Sequence, residues 1–267
     1  MSSRLDELFV KVQAENRAAL IAYIPAGFPS KAGCTKVIQA LAAAGVDAIE
    51  IGFPYSDPVM DGPTIQEAAE ISLKGGTEAG DVFAALKVAS DTGVAAVVMT
   101  YWNPIEKYGV DKFAEAIAAH GGSGVITPDL TVEESSSWLA ASSTQSISPI
   151  FVVAPSSSDE RLAHVTSKAG GFVYAASVMG VTGARSSVSV DAQDLVSRVR
   201  AVTSLPVCVG LGVSTRAQAQ SVAAYADGVI VGSAFIKLLL NSNDEESGLE
   251  AVSLLAKELA LGVREGR

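Results

Sequence analysis

The sequence is poor in several residue types, and each scarcity excludes a class of protein. Among its 267 residues are two cysteines, Cys34 and Cys208, so it has neither a disulfide framework nor the cysteine spacing of a metal site. Both fall in apolar segments and are interpreted as core residues. The two histidines, His120 and His164, come late in predicted helices and are interpreted as structural. We therefore expect no bound metal.

Basic residues are also scarce. The chain has 19 Lys and Arg residues and 29 Asp and Glu residues, which gives a formal net charge of −10. This balance argues against a nucleic-acid surface, which needs clustered basic side chains, but it leaves room for one small phosphate held by backbone N–H groups. No apolar run is long enough to span a membrane and the first 20 residues have no signal-peptide core, so a cytoplasmic protein is expected.

Hydrophobic residues, in contrast, make up 49% of the chain and recur in short continuous runs separated by helical patterns. Such runs are typical of parallel strands covered by helices on both faces. We predict strands at 19–25, 48–52, 95–101, 124–127, 150–153, 172–177, 206–210 and 227–231. Eight units in this length indicate a (β/α)8 TIM barrel forming one domain over residues 1–267.

Helices are predicted around these strands, beginning with an extra amphipathic N-terminal helix over residues 3–13. The others are expected near 30–44, 63–74, 78–92 and 111–120, from 131, from 158, after each of the last three strands (the last of these from 233) and over 244–264, with a loop around Asn103-Pro104. An open doubly wound sheet is the alternative fold. It is disfavoured because the turn after the first strand lacks the expected glycine fingerprint.

The most informative stretch is residues 48–66, AIEIGFPYSDPVMDGPTIQ. Its apolar start predicts a buried strand, yet Glu50 lies in the middle, and a buried carboxylate is normally paired or functional. The following loop returns a second carboxylate, Asp61, to the strand end before Pro63 begins a helix. Two acids in unlike surroundings suggest a proton-transfer pair. Alternatively, they are a helix cap and ordinary turn residues.

Glycine-bearing turns follow the last three predicted strands. They read Gly180-Val181-Thr182-Gly183, Gly210-Leu211-Gly212-Val213-Ser214 and Gly232-Ser233. In a barrel these strands are neighbours, so the turns converge on one face, where a helix starting at Ser233 would direct its N–H groups at an anion. We predict a phosphate site there that includes Gly183, Gly212, Gly232 and Ser233.

The stretch 179–190, MGVTGARSSVSV, is long and rich in Ser and Gly. We predict a loop here that closes over a bound phosphate as a lid. The alternative is a surface loop without a function.

Together these motifs resemble the family of tryptophan synthase alpha subunits over residues 19–239. The most specific match is an acid followed by Pro-Tyr-Ser-Asp-Pro (54–58) and Asp-Gly-Pro-Thr-Ile-Gln (61–66). The stretches 172–174 with 180–183, and 210–214, match two further family segments. The chain departs from the family at Phe28, where an aromatic residue replaces a frequent acid beside the pocket mouth.

The resemblance implies a lyase that splits indole-3-glycerol phosphate into indole and glyceraldehyde 3-phosphate in tryptophan biosynthesis. It implies that Asp61 faces the indole N–H, that Glu50 moves protons at C3 and at the glycerol hydroxyl, and that Tyr174 positions Glu50. Tyr23, Ile65 and Tyr101 would line the indole pocket, although each is also explained as ordinary core at a strand end. Strand six has no Schiff-base lysine, which favours acid–base cleavage.

The resemblance further implies a beta-subunit partner in an alpha2beta2 heterotetramer, with Asp57 at the contact. Pyridoxal phosphate would be bound by the beta subunit, and no cofactor by this chain. Three alternatives remain at this point. The chain is a stand-alone lyase of the same chemistry, a non-catalytic barrel acting as a scaffold, or a barrel enzyme for a different phosphate sugar. The last needs other acids or lysines at its strand ends.

Overall fold

The computed structural model describes residues 3–176, 185–210 and 212–267. Eight parallel strands pair in sequence order and close into a barrel, with β1 hydrogen-bonded to both β2 and β8. This confirms the predicted (β/α)8 barrel. The strands are β1 Ala19–Pro25, β2 Ala48–Gly52, β3 Ala95–Met99, β4 Gly124–Thr127, β5 Ser148–Val153, β6 Val173–Ala176, β7 Val207–Gly210 and β8 Gly228–Val231.

Helices surround the barrel, and one precedes it. They are α1 Arg4–Ala14, α2 Lys31–Ala43, α3 Pro63–Lys74, α4 Ala79–Asp91, α5 Trp102–Tyr108, α6 Val110–Ala119, α7 Ser136–Thr144, α8 Asp159–Thr166, α9 Arg185–Arg200, α10 Arg216–Ala223, α11 Ser233–Asn241 and α12 Glu245–Glu265. Within the described part of the chain, none of these helices is long and apolar enough to cross a bilayer.

The predicted N-terminal helix is confirmed. Ser3 caps it with a reciprocal capping box to Asp6, which satisfies donors that the first turn leaves free. Its apolar face, Leu5, Leu8, Phe9 and Val12, is buried against the residues that point into the barrel. The centroids of the Phe9 ring and of the ring of Phe172, the residue before β6, are 5.8 Å apart. The helix therefore packs against the barrel interior and leaves the opposite end, where the strands finish, for the site.

Two hydrophobic layers hold the fold together. Inward-pointing residues such as Ile21, Val97 and Ile150 fill the barrel, and outward-pointing residues such as Leu20, Ile49 and Val98 pack under the helices. Cys34 and Cys208 are both free and buried, as predicted for core residues. His120 stacks on Phe83 at the end of α6.

One helix was not predicted. Residues 102–108, expected as a loop around Asn103-Pro104, form α5. Proline is tolerated in a first helical turn because its missing N–H has no intrahelical partner there. The cap also comes from outside the segment, since both carboxylate oxygens of Asp129 accept from the Trp102 N–H at 2.9 and 3.1 Å.

Two other local predictions are wrong in part. The capped α-helix expected from Thr131 is a 3-10 turn, Val132–Glu134, because the Thr131 hydroxyl donates to the Glu134 side chain and caps no backbone N–H; α7 begins later. The predicted lid 179–190 is helical over residues 185–190, the start of α9, and the remainder lies outside the described residues. Several predicted strands are a residue or two shorter or longer than observed, most notably β3, which ends at Met99.

Candidate active site

Glu50 is at the centre of the barrel's carboxyl end. It is 1% exposed in β2, and the strand register sets it beside Tyr23 of β1 and Val97 of β3. Its Oε2 atom is buried and has no hydrogen-bond partner among the described residues. Burial, with a smaller contribution from the Asp61 carboxylate, raises the pKa of Glu50 to about 8. At neutral pH the side chain is therefore a protonated acid that has a proton to donate.

Asp61 is brought to the same region by the loop of residues 53–62. Burial raises its pKa, while a hydrogen bond from the Tyr101 hydroxyl opposes that rise. The same hydroxyl accepts from the Met60 N–H at 3.0 Å, and the Asp61 carbonyl oxygen accepts from Gln66 Nε2 at 2.8 Å. Tyr101, between β3 and α5, therefore holds the backbone on one side of this carboxylate, and Gln66 of α3 holds it on the other.

Tyr23 is paired with Glu50 in the strand register and is close enough to both acids to be affected by their charges. Burial raises the pKa of its hydroxyl well above the usual value, and the carboxylates of Asp61 and Glu50 raise it further, in that order. Its ring occupies space that a side chain at two glycines would fill, because an added Cβ would lie 2.3 Å from the Tyr23 hydroxyl at Gly52 and 2.9 Å from the ring at Gly232. Both glycines are therefore required by the packing of this ring.

Tyr174 approaches Glu50 from β6. Burial raises the pKa of its hydroxyl, and after burial the largest contribution comes from the Glu50 carboxylate. The hydroxyl lies against Gly210, where an added Cβ would be only 2.5 Å away. The structure thus brings four predicted site residues, Glu50, Asp61, Tyr23 and Tyr174, into one cluster.

The other predicted pocket residues lie around this cluster. Tyr101 is buried at the start of α5, where its hydroxyl holds the Asp61 loop. Ile65 is partly buried in the first turn of α3 and packs against the outer core. Phe28, predicted beside the pocket mouth, is fully buried in that outer core, and its ring offers no polar group there.

The predicted phosphate residues are placed at the same end. Gly232 precedes α11, and Ser233 is the first residue of that helix. No side chain in the described part of the chain caps the helix, so its first N–H groups are left for another acceptor. Gly212 has a φ of +66°, a left-handed conformation that favours glycine. Gly183 lies outside the described residues.

The loop 53–62 also presents the predicted contact residue. Asp57 is exposed and accepts a 2.6 Å hydrogen bond from Ser56. Beside it, Val59 and Met60 are 76% and 53% exposed, which is unusual for adjacent apolar side chains. Across the described residues, no group of three His, Cys, Asp or Glu side chains is arranged to hold a metal ion.

Sequence reasoning missed the contacts that hold this loop. Asn103 Nδ2 donates to the Tyr55 hydroxyl at 2.9 Å, and the Tyr55 and Tyr101 rings lie 5.3 Å apart. The only available signal was that Tyr55 lies in the Asp61 motif, since Tyr101 lies 40 positions further along the chain. The packing of Tyr23 on Gly52 and of Tyr174 on Gly210 was also missed, because no local pattern shows which side chain packs on a glycine.

The fold and the cluster define a class, a (β/α)8-barrel enzyme with a buried acid and a second carboxylate at the carboxyl ends of its strands. The model of the tryptophan synthase alpha chain family matches residues 9–264. The chain belongs to this family. It is accordingly a carbon–carbon lyase that cleaves indole-3-glycerol phosphate to indole and glyceraldehyde 3-phosphate in tryptophan biosynthesis.

Similar proteins agree over nearly the whole chain. The tryptophan synthase alpha chain of Streptomyces avermitilis is 55% identical over 263 residues, covering 98% of this chain and 95% of its own length. That of Thermobifida fusca is 56% identical over 257 residues, covering 95% of each. A structure of Mycobacterium tuberculosis tryptophan synthase aligns with a TM-score of 0.91 at 52% identity, covering 99% of both chains.

Proposed function

We propose that the chain cleaves its substrate by general acid–base chemistry, with Glu50 and Asp61 as the catalytic residues. Glu50 donates a proton to indole C3, and Asp61 takes up the developing positive charge at the ring N–H. The hydroxyl on the glycerol carbon attached to C3 then gives its proton to the Glu50 carboxylate, which restores the acid, as the C–O bond becomes a carbonyl. The bond to C3 breaks, and its electron pair returns to the ring. The products are indole and an aldehyde, with no net change in protons.

The observation that carries this proposal is the protonated state of Glu50. A carboxylate of ordinary pKa would be ionised at neutral pH and would have no proton to donate. Burial in the barrel raises the pKa of Glu50 to about 8, and its Oε2 is left without a partner in the described structure. Tyr174, whose hydroxyl titrates under the influence of the same carboxyl group, is proposed to position it.

We propose that the substrate phosphate binds where β7 and β8 end. Gly212 allows close approach of the backbone, and the uncapped start of α11 at Gly232 and Ser233 directs N–H groups and a helix dipole at the anion. Gly183 is proposed to contribute from the turn after β6. The rings of Tyr23 and Tyr101, with Ile65, would then line the space for the indole.

We propose that the chain works with a beta subunit in an alpha2beta2 heterotetramer in the cytoplasm. The exposed part of loop 53–62 supports a docking role, since Asp57 offers a charge and Val59 and Met60 offer apolar surface. The aligned structure from Mycobacterium tuberculosis is described as tryptophan synthase. Pyridoxal phosphate would be held by the beta subunit, and this chain would need no cofactor.

The direct test is to incubate the purified chain with indole-3-glycerol phosphate and measure indole release with and without a beta subunit. Slow release that rises sharply with the partner is expected. Fast release that the partner does not change would make the chain a stand-alone lyase. Absence of release under both conditions would contradict the proposal.

A further inference from the structure

The loop that carries Asp61 is tied to α5 through two tyrosines. Tyr55, near the start of the loop, accepts a 2.9 Å hydrogen bond from Asn103 in the first turn of α5. Its ring packs at 5.3 Å against that of Tyr101, the residue preceding α5. The Tyr101 hydroxyl in turn accepts from the Met60 N–H and hydrogen-bonds the Asp61 carboxylate. A continuous set of contacts therefore joins Asn103 to the catalytic carboxylate.

This set of contacts is anchored on the barrel. The first N–H of α5, from Trp102, donates to the Asp129 carboxylate, and Asp129 follows β4. Since a carboxylate at a helix N-terminus also interacts favourably with the helix dipole, α5 has a fixed start. Asn103 is the next residue, so its amide reaches Tyr55 from a fixed position.

We propose that Tyr55 is a positioning residue for Asp61, which it holds in place through Asn103 and the ring of Tyr101. The proposal rests on the proposed role of Asp61. The Asp61 carboxylate must meet the indole N–H within hydrogen-bond distance, and a small displacement of a catalytic group is costly in rate. The hydrogen bond and the ring contact of Tyr55 are made with Asn103 and Tyr101, so we expect its effect on the Asp61 side of the reaction.

Tyr55→Phe tests this in the full-length chain, assayed alone and with a beta subunit. Removal of the hydroxyl frees the ring from Asn103. We expect kcat to fall about threefold to tenfold, the range given by one ordinary hydrogen bond, while KM changes less than twofold. Tyr108→Phe, at the far end of the same helix, is the matched control, and its kcat should equal that of the wild type.

The pH profile separates positioning from a loss of stability. The Tyr101 hydroxyl lowers the pKa of Asp61 against the effect of burial. If Tyr55→Phe lets Tyr101 move away, the pKa of Asp61 rises, and the acid limb of kcat moves to higher pH. A variant that was merely less stable would keep the limb of the wild type.

Substitutions at Asn103 test whether the hydrogen bond between Tyr55 and Asn103 is the cause, by removing it or by replacing it. Asn103→Ala should reproduce the loss of Tyr55→Phe, and the double variant should be no worse than either one, because both remove the same bond. In Asn103→Asp the Tyr55 hydroxyl becomes the donor to a carboxylate, so most of kcat should be retained. Additive losses, or unchanged kcat and pH profile in Tyr55→Phe, would overturn the proposal.

Asp61→Asn keeps this result distinct from the proposed function. Loss of cleavage in Asp61→Asn with an unchanged Tyr55→Phe would refute only the positioning role. Wild-type cleavage in Asp61→Asn would instead refute the catalytic role of Asp61, and the positioning role with it.

Discussion

A single buried carboxyl group, Glu50, is the residue that we propose sets the chemistry of the site. Its position was predictable because a charged residue interrupts an otherwise apolar strand. Its protonated state could not be predicted, because the pKa of Glu50 depends on the depth of burial and on Asp61, which lies 11 positions further along the chain. Likewise, the contact of Tyr55 with Asn103 joins residues 48 positions apart and leaves no local pattern.

Protonation of Glu50 should make stability depend on pH. Its pKa is about 8 in the folded chain and near 4.5 when unfolded, so the native state binds an extra proton between these values. The stability this group contributes is complete below pH 4.5 and is lost as pH rises through 8. Relative to the wild type, Glu50→Gln should gain up to about 1.4 kcal/mol per pH unit across this window. Urea unfolding at pH 5 to 8 measures it, and a constant difference between the two proteins would contradict it.

At the scale of elements, apolar runs and capping residues predicted the strands, α1 and α2, because those signals are local. Helix α5 could not be predicted, since its cap is Asp129 from another loop. This non-local contact fixes the start of α5 and therefore the position of Tyr101, whose hydroxyl hydrogen-bonds the Asp61 carboxylate.

The turn after β7 allows a test of the phosphate site with a matched control. Gly212 and Gly76 have φ values of +66° and +72°, so a valine at either position is strained by about 1–2 kcal/mol. Gly76 lies between α3 and α4, where an added Cβ has open space. We expect Gly212→Val to raise KM at least tenfold, the effect of losing a charge-assisted hydrogen bond. Gly76→Val should lose similar stability with KM unchanged. Equal KM values would count against the phosphate site.

At the scale of the whole molecule, barrel closure gathers residues from β1, β2, β6 and the loop after β2 at one end. The eight-unit pattern predicted this architecture, and the predicted acids do lie together. Of the surface that we propose contacts a partner, the sequence predicted only Asp57. The exposure of Val59 and Met60 depends on how the loop folds and could not be read from the sequence.

The exposed apolar tip of loop 53–62, formed by Val59 and Met60, should contribute to partner binding. Val59→Ser removes a side chain that is 76% exposed, and burial of a valine contributes about 1.5 kcal/mol. We expect the beta-subunit concentration for half-maximal stimulation to rise about tenfold. Leu254→Ser on α12, where the leucine is 64% exposed, is the control and should leave that concentration unchanged. If the two variants behave alike, the tip is not part of the contact.

The central claim is that the Glu50 carboxyl group transfers the proton that allows the carbon–carbon bond to break. The most direct measurement compares indole release and equilibrium binding of indole-3-glycerol phosphate in the wild type and in Glu50→Gln. Glutamine keeps the size of the side chain but has no acidic proton. We expect release to fall by about 10²- to 10⁴-fold while binding stays within a few-fold of the wild type. Release near the wild-type rate would show that Glu50 is not the proton donor.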